Sequence, residues 1–144
     1  MTDNSAYSHV WSYVLLALCA WREARNQGRD GMRAVCWTVR NRVMTRPEHW
    51  WGATYPAVIL GPWQYSSFNQ GDPQCTLFPF EPKNDPAWQD ALEVADEVFL
   101  GIGDDPTKGA THYYADSIPP PSWAQSPDTV FTVQIGAHRF YKAA

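Results

Sequence analysis

One acidic side chain stands where its charge is unwelcome. Residues 17–25 read ALCAWREAR, so Glu23 closes an apolar helical run and is followed by the polar stretch Asn26-Gln27-Gly28-Arg29-Asp30. The C-terminal end of a helix carries partial negative charge, and the neighbours Cys19, Ala20 and Trp21 would strip water from a carboxylate. Both effects favour the protonated acid, which can give its proton to a leaving oxygen. Arg22 and Arg25 oppose this only if they turn toward Glu23, and helical geometry sets their directions roughly 100° and 200° away from it. The chemistry alone leaves open that Glu23 is a surface residue paired with one of these arginines.

Other residues suit a site that handles sugars. Gln64, Ser66 and Ser67 are polar groups in an aromatic loop, WQYSSF, able to bond N-acetyl groups and ring oxygens or else to satisfy their own turn. Tyr113 and Tyr114 point to opposite faces if they lie on a strand, one toward a cleft and one toward the core. The chain holds eight Trp, seven Tyr and six Phe. Many must fill the core, but Trp50-Trp51, Trp63, Tyr65 and Trp123 fall in irregular sequence, as groove-lining rings would. A second carboxylate, needed to activate water or form a covalent intermediate, has three candidates. Asp116, beside the tyrosines, is preferred over Asp72, in a Gly-Asp-Pro turn, and over Asp30.

Much is excluded. The net charge of −4 and a pI near 5.4 argue against nucleic acid as a partner. His9, His49, His112 and His138 show no zinc spacing, and neither a P-loop nor a dinucleotide fingerprint is present, so no metal or cofactor is expected. His138 reads as structural, and His112 as a residue bordering the cleft. Cys19 and Cys36 read as reduced core residues and Cys75 as a free thiol. The apolar run Val10–Ala20 is too short to span a bilayer and lacks a basic leader, so no stable membrane insertion and synthesis in the cytosol are expected.

The elements that must hold these residues follow from periodicity. Residues 1–8 read as frayed. A helix over His9–Arg25 is apolar on most sides and therefore buried. Gly28 stops it, and Asp30 caps a second helix over Gly31–Thr45 that packs antiparallel to the first. Residues 46–83 are irregular except for a short helix at Tyr55–Leu60. Asp85-Pro86 opens a third long helix, with Gly101 beyond its end; Asp90, Glu93, Asp96 and Glu97 fall on its solvated side. Period-2 alternation of Phe131, Val133 and Ile135 predicts a strand, turned by Gly136-Ala137 into a second strand, His138–Lys142. Ala110–Ala115 reads as a third strand. The whole, residues 1–144, is expected to be one catalytic α+β domain, mainly helical with a small antiparallel sheet.

Four stretches in order carry a resemblance: Glu23-Ala24-Arg25 with Gly31, Ala34-Val35 and Asn41-Arg42-Val43; Gln64-Tyr65-Ser66; Gly109-Ala110-Thr111-His112-Tyr113-Tyr114; and Ile135-Gly136-Ala137-His138-Arg139-Phe140-Tyr141. Together they resemble the SleB-type cell-wall hydrolases, a family that includes spore-cortex-lytic enzymes and phage lysins. The resemblance implies a lysozyme-like or lytic-transglycosylase-like fold and peptidoglycan glycan strands as substrate. It makes Glu23 the single acid and base, and Gln64, Ser66, Tyr113 and Tyr114 substrate-binding residues. It favours cleavage of the MurNAc–GlcNAc β-1,4 bond by the substrate's own 6-hydroxyl, giving 1,6-anhydro ends. A hydrolytic muramidase and a non-catalytic glycan-binding virion domain are the alternatives. Departures are Tyr65 where the family often has Phe, and Ala115-Asp116 where it often has Asn-Pro. A monomer is expected, made in a host cytoplasm and acting in the wall as a holin-released or virion-borne phage lysin.

Overall fold

The computed structural model describes residues 5–144. Four helices, α1 (Ser5–Ala24), α2 (Gly28–Val43), α3 (Tyr55–Leu60) and α4 (Pro86–Phe99), precede a three-stranded sheet, β1 (His112–Ala115), β2 (Thr129–Ile135) and β3 (His138–Ala143). The architecture is α+β, as the periodicities predict. α1 packs against α2, α3 and α4. This explains its apolar circumference: Leu15, Leu16, Ala17, Cys19, Ala20, Trp21 and Ala24 are all buried. The helix begins at Ser5, four residues earlier than expected. Its first turns pack on little, with Tyr7, Val10 and Trp11 exposed, so burial periodicity carries no signal there. Residues 1–4 of the segment expected to fray lie outside the described residues.

After α1 the chain makes one 3₁₀ turn, Arg25–Gln27, and Gly28 (φ +72°) redirects it into α2. Asp30 is therefore not a cap. It sits inside the first turn of α2, where a carboxylate still favours the helix dipole. Asp85 caps α4 as its sequence predicts, accepting from Trp88 N–H at 2.9 Å. Its other oxygen accepts the Trp21 indole N–H at 3.2 Å, which ties the cap of α4 to α1. Of the four acids on α4, three are not merely solvated. Arg29 of α2 meets Asp90 and Glu93 at 2.8 and 2.7 Å, and Arg33 meets Glu97. Glu93 and Asp96 are exposed, as the solvated side requires, and Asp96 makes no such pair.

The strand order is β1-β3-β2, all antiparallel, with Ile135 opposite His138 across the two-residue turn Gly136-Ala137. A bulge at Thr132 shifts the register between Phe131 and Val133. The expected single stripe of Phe131, Val133 and Ile135 is broken by it. Val133 and Ile135 pack toward Phe140, Ala110 and Ala34, whereas Phe131 is exposed and lies under the Arg139 guanidinium at 4.6 Å. Ala34, a small residue on α2, is where the sheet meets the helices.

The hairpin is pinned to the turn after α1, because Ala137 N–H donates to Gln27 Oε1 at 2.9 Å. Gly136 is left-handed (φ +57°), and a Cβ there would stand 2.4 Å from that same Gln27 oxygen. Gly136→Ala is expected to lower stability by about 1–2 kcal/mol, from the left-handed backbone and the displaced bond. Adding Gln27→Ala should recover the steric part. Urea midpoints of the two variants test this.

Candidate active site

Three segments from distant parts of the chain converge on one cleft of about 800 Å³: the end of α1, the loop from Trp63 to Gln74, and β1 with the β2–β3 turn beside it. Glu23 lies in this cleft, half-buried. The Tyr113 hydroxyl donates to its Oε1, and the Ser67 main-chain N–H donates to its Oε2 at 3.1 Å. Among the described residues no lysine or arginine forms an ion pair with it. The two nearby arginines are engaged elsewhere. Arg22 is buried, lies 4.7 Å from the ring centres of both Phe68 and Phe78, and donates to the carbonyls of Leu77 and Cys75. Arg25 lies over the Trp21 ring and donates to the carbonyls of Trp21 and Arg22. That caps carbonyls in the last turn of α1 with a positive charge. The wholly apolar setting expected from Cys19, Ala20 and Trp21 is thus only half realised. Those residues are in the core, while the carboxylate itself faces a cleft and two hydrogen-bond donors.

Tyr113 is held by rings on several sides: His138 at 5.0 Å, Phe140 at 5.5 Å and Tyr65 at 6.3 Å between centroids. Burial first, then the neighbouring Glu23 charge, push its hydroxyl well above the ordinary tyrosine value. It therefore remains a donor at any ordinary pH. Tyr114 also borders the cleft but is packed sideways, stacked on Tyr141 at 5.8 Å and edge-on to Trp123. The strand alternation thus sets Tyr113 on Glu23 and turns Tyr114 away from it, against Tyr141 and Trp123 at the cleft's edge.

Gln64 and Ser66 both line the cleft. Gln64 Oε1 accepts from Arg42 Nη1 at 2.9 Å, and its Nε2 donates to the Pro62 carbonyl at 3.3 Å, so the side chain is fixed at both ends. Ser66 is exposed on the cleft wall. Ser67, the next residue, is the one that reaches Glu23, and it does so with its backbone. Of the groove aromatics, Trp50, Trp63 and Trp123 line the cleft, with Trp63 81% exposed, whereas Trp51 is a core residue.

The preferred second carboxylate does not join the site. Asp116 is exposed at the sheet turn, accepts from Gln134 Nε2 at 3.0 Å, and is not part of the cleft wall; Asp30 is exposed on α2. Asp72 does line the cleft, with one oxygen accepting from Gln74 N–H at 2.8 Å. The strand end that carries Asp116 turns it toward β2, a direction that sequence adjacency to the tyrosines does not reveal.

Two groups escaped the sequence reading. His138 is not merely structural, for it lines the cleft against Tyr113. Burial lowers its pKa, against the pull of Glu23 and Asp116. Arg42 is 5% exposed and joins α2 to both walls, donating from Nε to Thr111 O at 2.7 Å and from Nη1 to Gln64. A signal existed: Arg42 follows Val35 by seven residues and Val39 by three, so a charge falls on the apolar stripe of α2.

His112 borders the cleft as expected. Its Nδ1 is 2.8 Å from Thr111 Oγ1, and burial, then Arg42 and His49, lower its pKa to about 4. A histidine that is neutral when folded and protonated when unfolded costs stability as pH falls. Its contribution is complete above the unfolded value of about 6.5 and is lost as pH drops toward about 4. Urea midpoints are expected to fall between pH 7 and pH 4.5, and His112→Gln should flatten that slope.

A family model described as Cell Wall Hydrolase matches residues 26–141, beginning three residues after Glu23. The fold is similar to the crystal structure of the catalytic domain of the Bacillus cereus SleB protein, with a TM-score of 0.66 at 25% identity. The alignment covers 91% of this chain and 89% of that one. No curated protein matches. With four fifths of the chain under the family model and the SleB catalytic fold reproduced along nearly its whole length, this chain belongs to the cell wall hydrolase family and is a peptidoglycan-degrading enzyme.

Proposed function

We propose that Glu23 cleaves the β-1,4 bond between MurNAc and GlcNAc in peptidoglycan strands, acting first as acid and then as base. The observation that carries this reading is a carboxylate that forms no ion pair among the described residues, set in an open cleft and oriented by Tyr113 and Ser67. In its protonated form Glu23 gives its proton to the bridging oxygen as the C1–O bond breaks, and the GlcNAc hydroxyl departs. The resulting carboxylate then takes the proton of the MurNAc 6-hydroxyl while O6 bonds to C1. Atoms balance without water, and the product is a 1,6-anhydro end. Gln64, Ser66, Tyr113 and Tyr114 form the surface on which the strand is positioned, with Trp63 and Trp50 offering faces to the sugar rings.

Non-hydrolytic cleavage is favoured because Asp116 stands away from the cleft. Asp72 keeps the hydrolytic reading alive, since it lines the same cleft and could direct a water. Incubation with purified sacculi tests the bond class. Release of soluble glycan fragments with their peptide stems intact is expected. Release of free peptides from uncut glycan would overturn the assignment.

A further inference from the structure

Arginines on the cleft wall are used differently from those on the outer face of α2. Arg29 and Arg33 are paired with carboxylates of α4. Arg22, Arg25 and Arg42 line the cleft and form no ion pair among the described residues. They outnumber the two carboxylates of the wall, Glu23 and Asp72, on a chain whose net charge is −4. Arg22 and Arg42 are buried and are spent on acceptors within the protein. Arg25, two residues beyond Glu23, is only half-buried. Its Nη1 alone supplies both bonds to the carbonyls of Trp21 and Arg22, at 3.2 and 3.4 Å, and the Trp21 ring centre lies 4.3 Å from the guanidinium carbon. A guanidinium carries five N–H donors, and those on Nε and Nη2 have no partner among the described residues, though both atoms are open to solvent.

The position of this side chain is set before any ligand arrives. Arg25 and the exposed, cleft-lining Asn26 belong to the 3₁₀ turn Arg25–Gln27. Arg25 fastens that turn to α1, and Gln27 fastens it to the hairpin through Ala137 N–H. A planar fork with its Nε–Nη2 edge free matches a carboxylate, which takes two parallel bonds from it. The sugars of a peptidoglycan strand are uncharged, and its carboxylates sit on the peptide stems that MurNAc carries. We propose that Arg25, with Asn26 beside it, is a carboxylate subsite that reads the peptide stem, so that this enzyme selects strands whose stems are present and charged. The inference rests on the reading that Glu23 cuts glycan strands. No bond is made or broken at Arg25. Its effect is to hold the stem at one wall while the glycan lies over Glu23.

The test is a cycle between side chain and ligand charge. The full chain, Arg25→Gln and Arg25→Lys are assayed on solubilised strands freed of phosphate-bearing polymers, with the stem carboxylates either intact or converted to primary amides. On intact strands Arg25→Gln is expected to lose about tenfold in kcat/KM, mainly through KM. Arg25→Lys keeps the charge but not the fork, and should fall between the two. On amidated strands the unsubstituted enzyme should lose a similar factor, and Arg25→Gln should lose nothing further. An equal loss from Arg25→Gln on both substrates would make Arg25 a cap of α1 and nothing more, and would overturn the subsite. Undiminished cleavage of intact strands by Arg25→Gln would overturn it too. The unsubstituted enzyme decides the matter even if the variants unfold: equal rates on amidated and intact strands would mean that no stem carboxylate is read. Failure to cut either strand would instead overturn the reading of the reaction.

Discussion

Glu23→Gln is expected to slow strand cleavage by about 10²-fold or more while the protein stays folded. The amide cannot give a proton to the bridging oxygen, nor take one from an attacking hydroxyl, so both halves of the proposed cycle fail. Shape is preserved, but one of the two donors now facing Glu23, the Tyr113 hydroxyl or the Ser67 N–H, must meet an amide NH₂. The stability cost should be about 1 kcal/mol, because the Tyr113 hydroxyl can rotate. Glu23→Asp retains the acid but withdraws it by one methylene, and its rate should fall between the two. Turbidity loss of a sacculus suspension reads the rate, and thermal melting reads the fold. A Glu23→Gln enzyme with undiminished activity would remove Glu23 from the chemistry.

Arg42→Met is expected to have the largest effect on stability, about 3 kcal/mol. A charge-assisted hydrogen bond contributes about 1.5–3 kcal/mol, and Arg42 makes two to uncharged acceptors in a nearly closed site. Its guanidinium also lies 5.0 Å from the Trp51 ring centre and 5.5 Å from that of Tyr65. Methionine keeps the stem's packing but leaves the Thr111 carbonyl and Gln64 Oε1 unpaired. Activity should fall as well, since Gln64 and the start of β1 lose a common anchor. Arg29→Met supplies the contrast: its pairs with Asp90 and Glu93 are solvent-facing, and surface pairs contribute only about 0–1 kcal/mol. Urea midpoints that rank the two variants in the other order would contradict this assignment.

Elements with local signals were legible in the sequence. Tyr55–Leu60 is the helix its sequence predicts, and the Asp85-Pro86 start of α4 follows from capping chemistry between adjacent residues. The two-residue turn at Gly136-Ala137 is likewise local. Where the reading went astray, the deciding contact was distant or the irregularity had no residue signature. The bulge at Thr132, with no glycine or proline to mark it, moved Phe131 off the expected face. Asp90, Glu93 and Glu97 found arginines more than sixty residues earlier in the chain. The site follows the same rule. That Glu23 ends a helix is written nearby, but its partner Tyr113 lies ninety residues on, and no local pattern announces that pair. Resemblance supplied the residues, and folding supplied their arrangement. It also exchanged Asp116 for Asp72 as the carboxylate in the cleft.

The central claim is that one carboxylate suffices because the substrate attacks itself. The masses of glycan fragments from a sacculus digest test this most directly. The account predicts new MurNAc ends lighter by one water than ordinary reducing ends, formed at the same rate as bonds are cut. Fragments ending in ordinary reducing MurNAc would contradict it, and would transfer the second role to a water directed by Asp72.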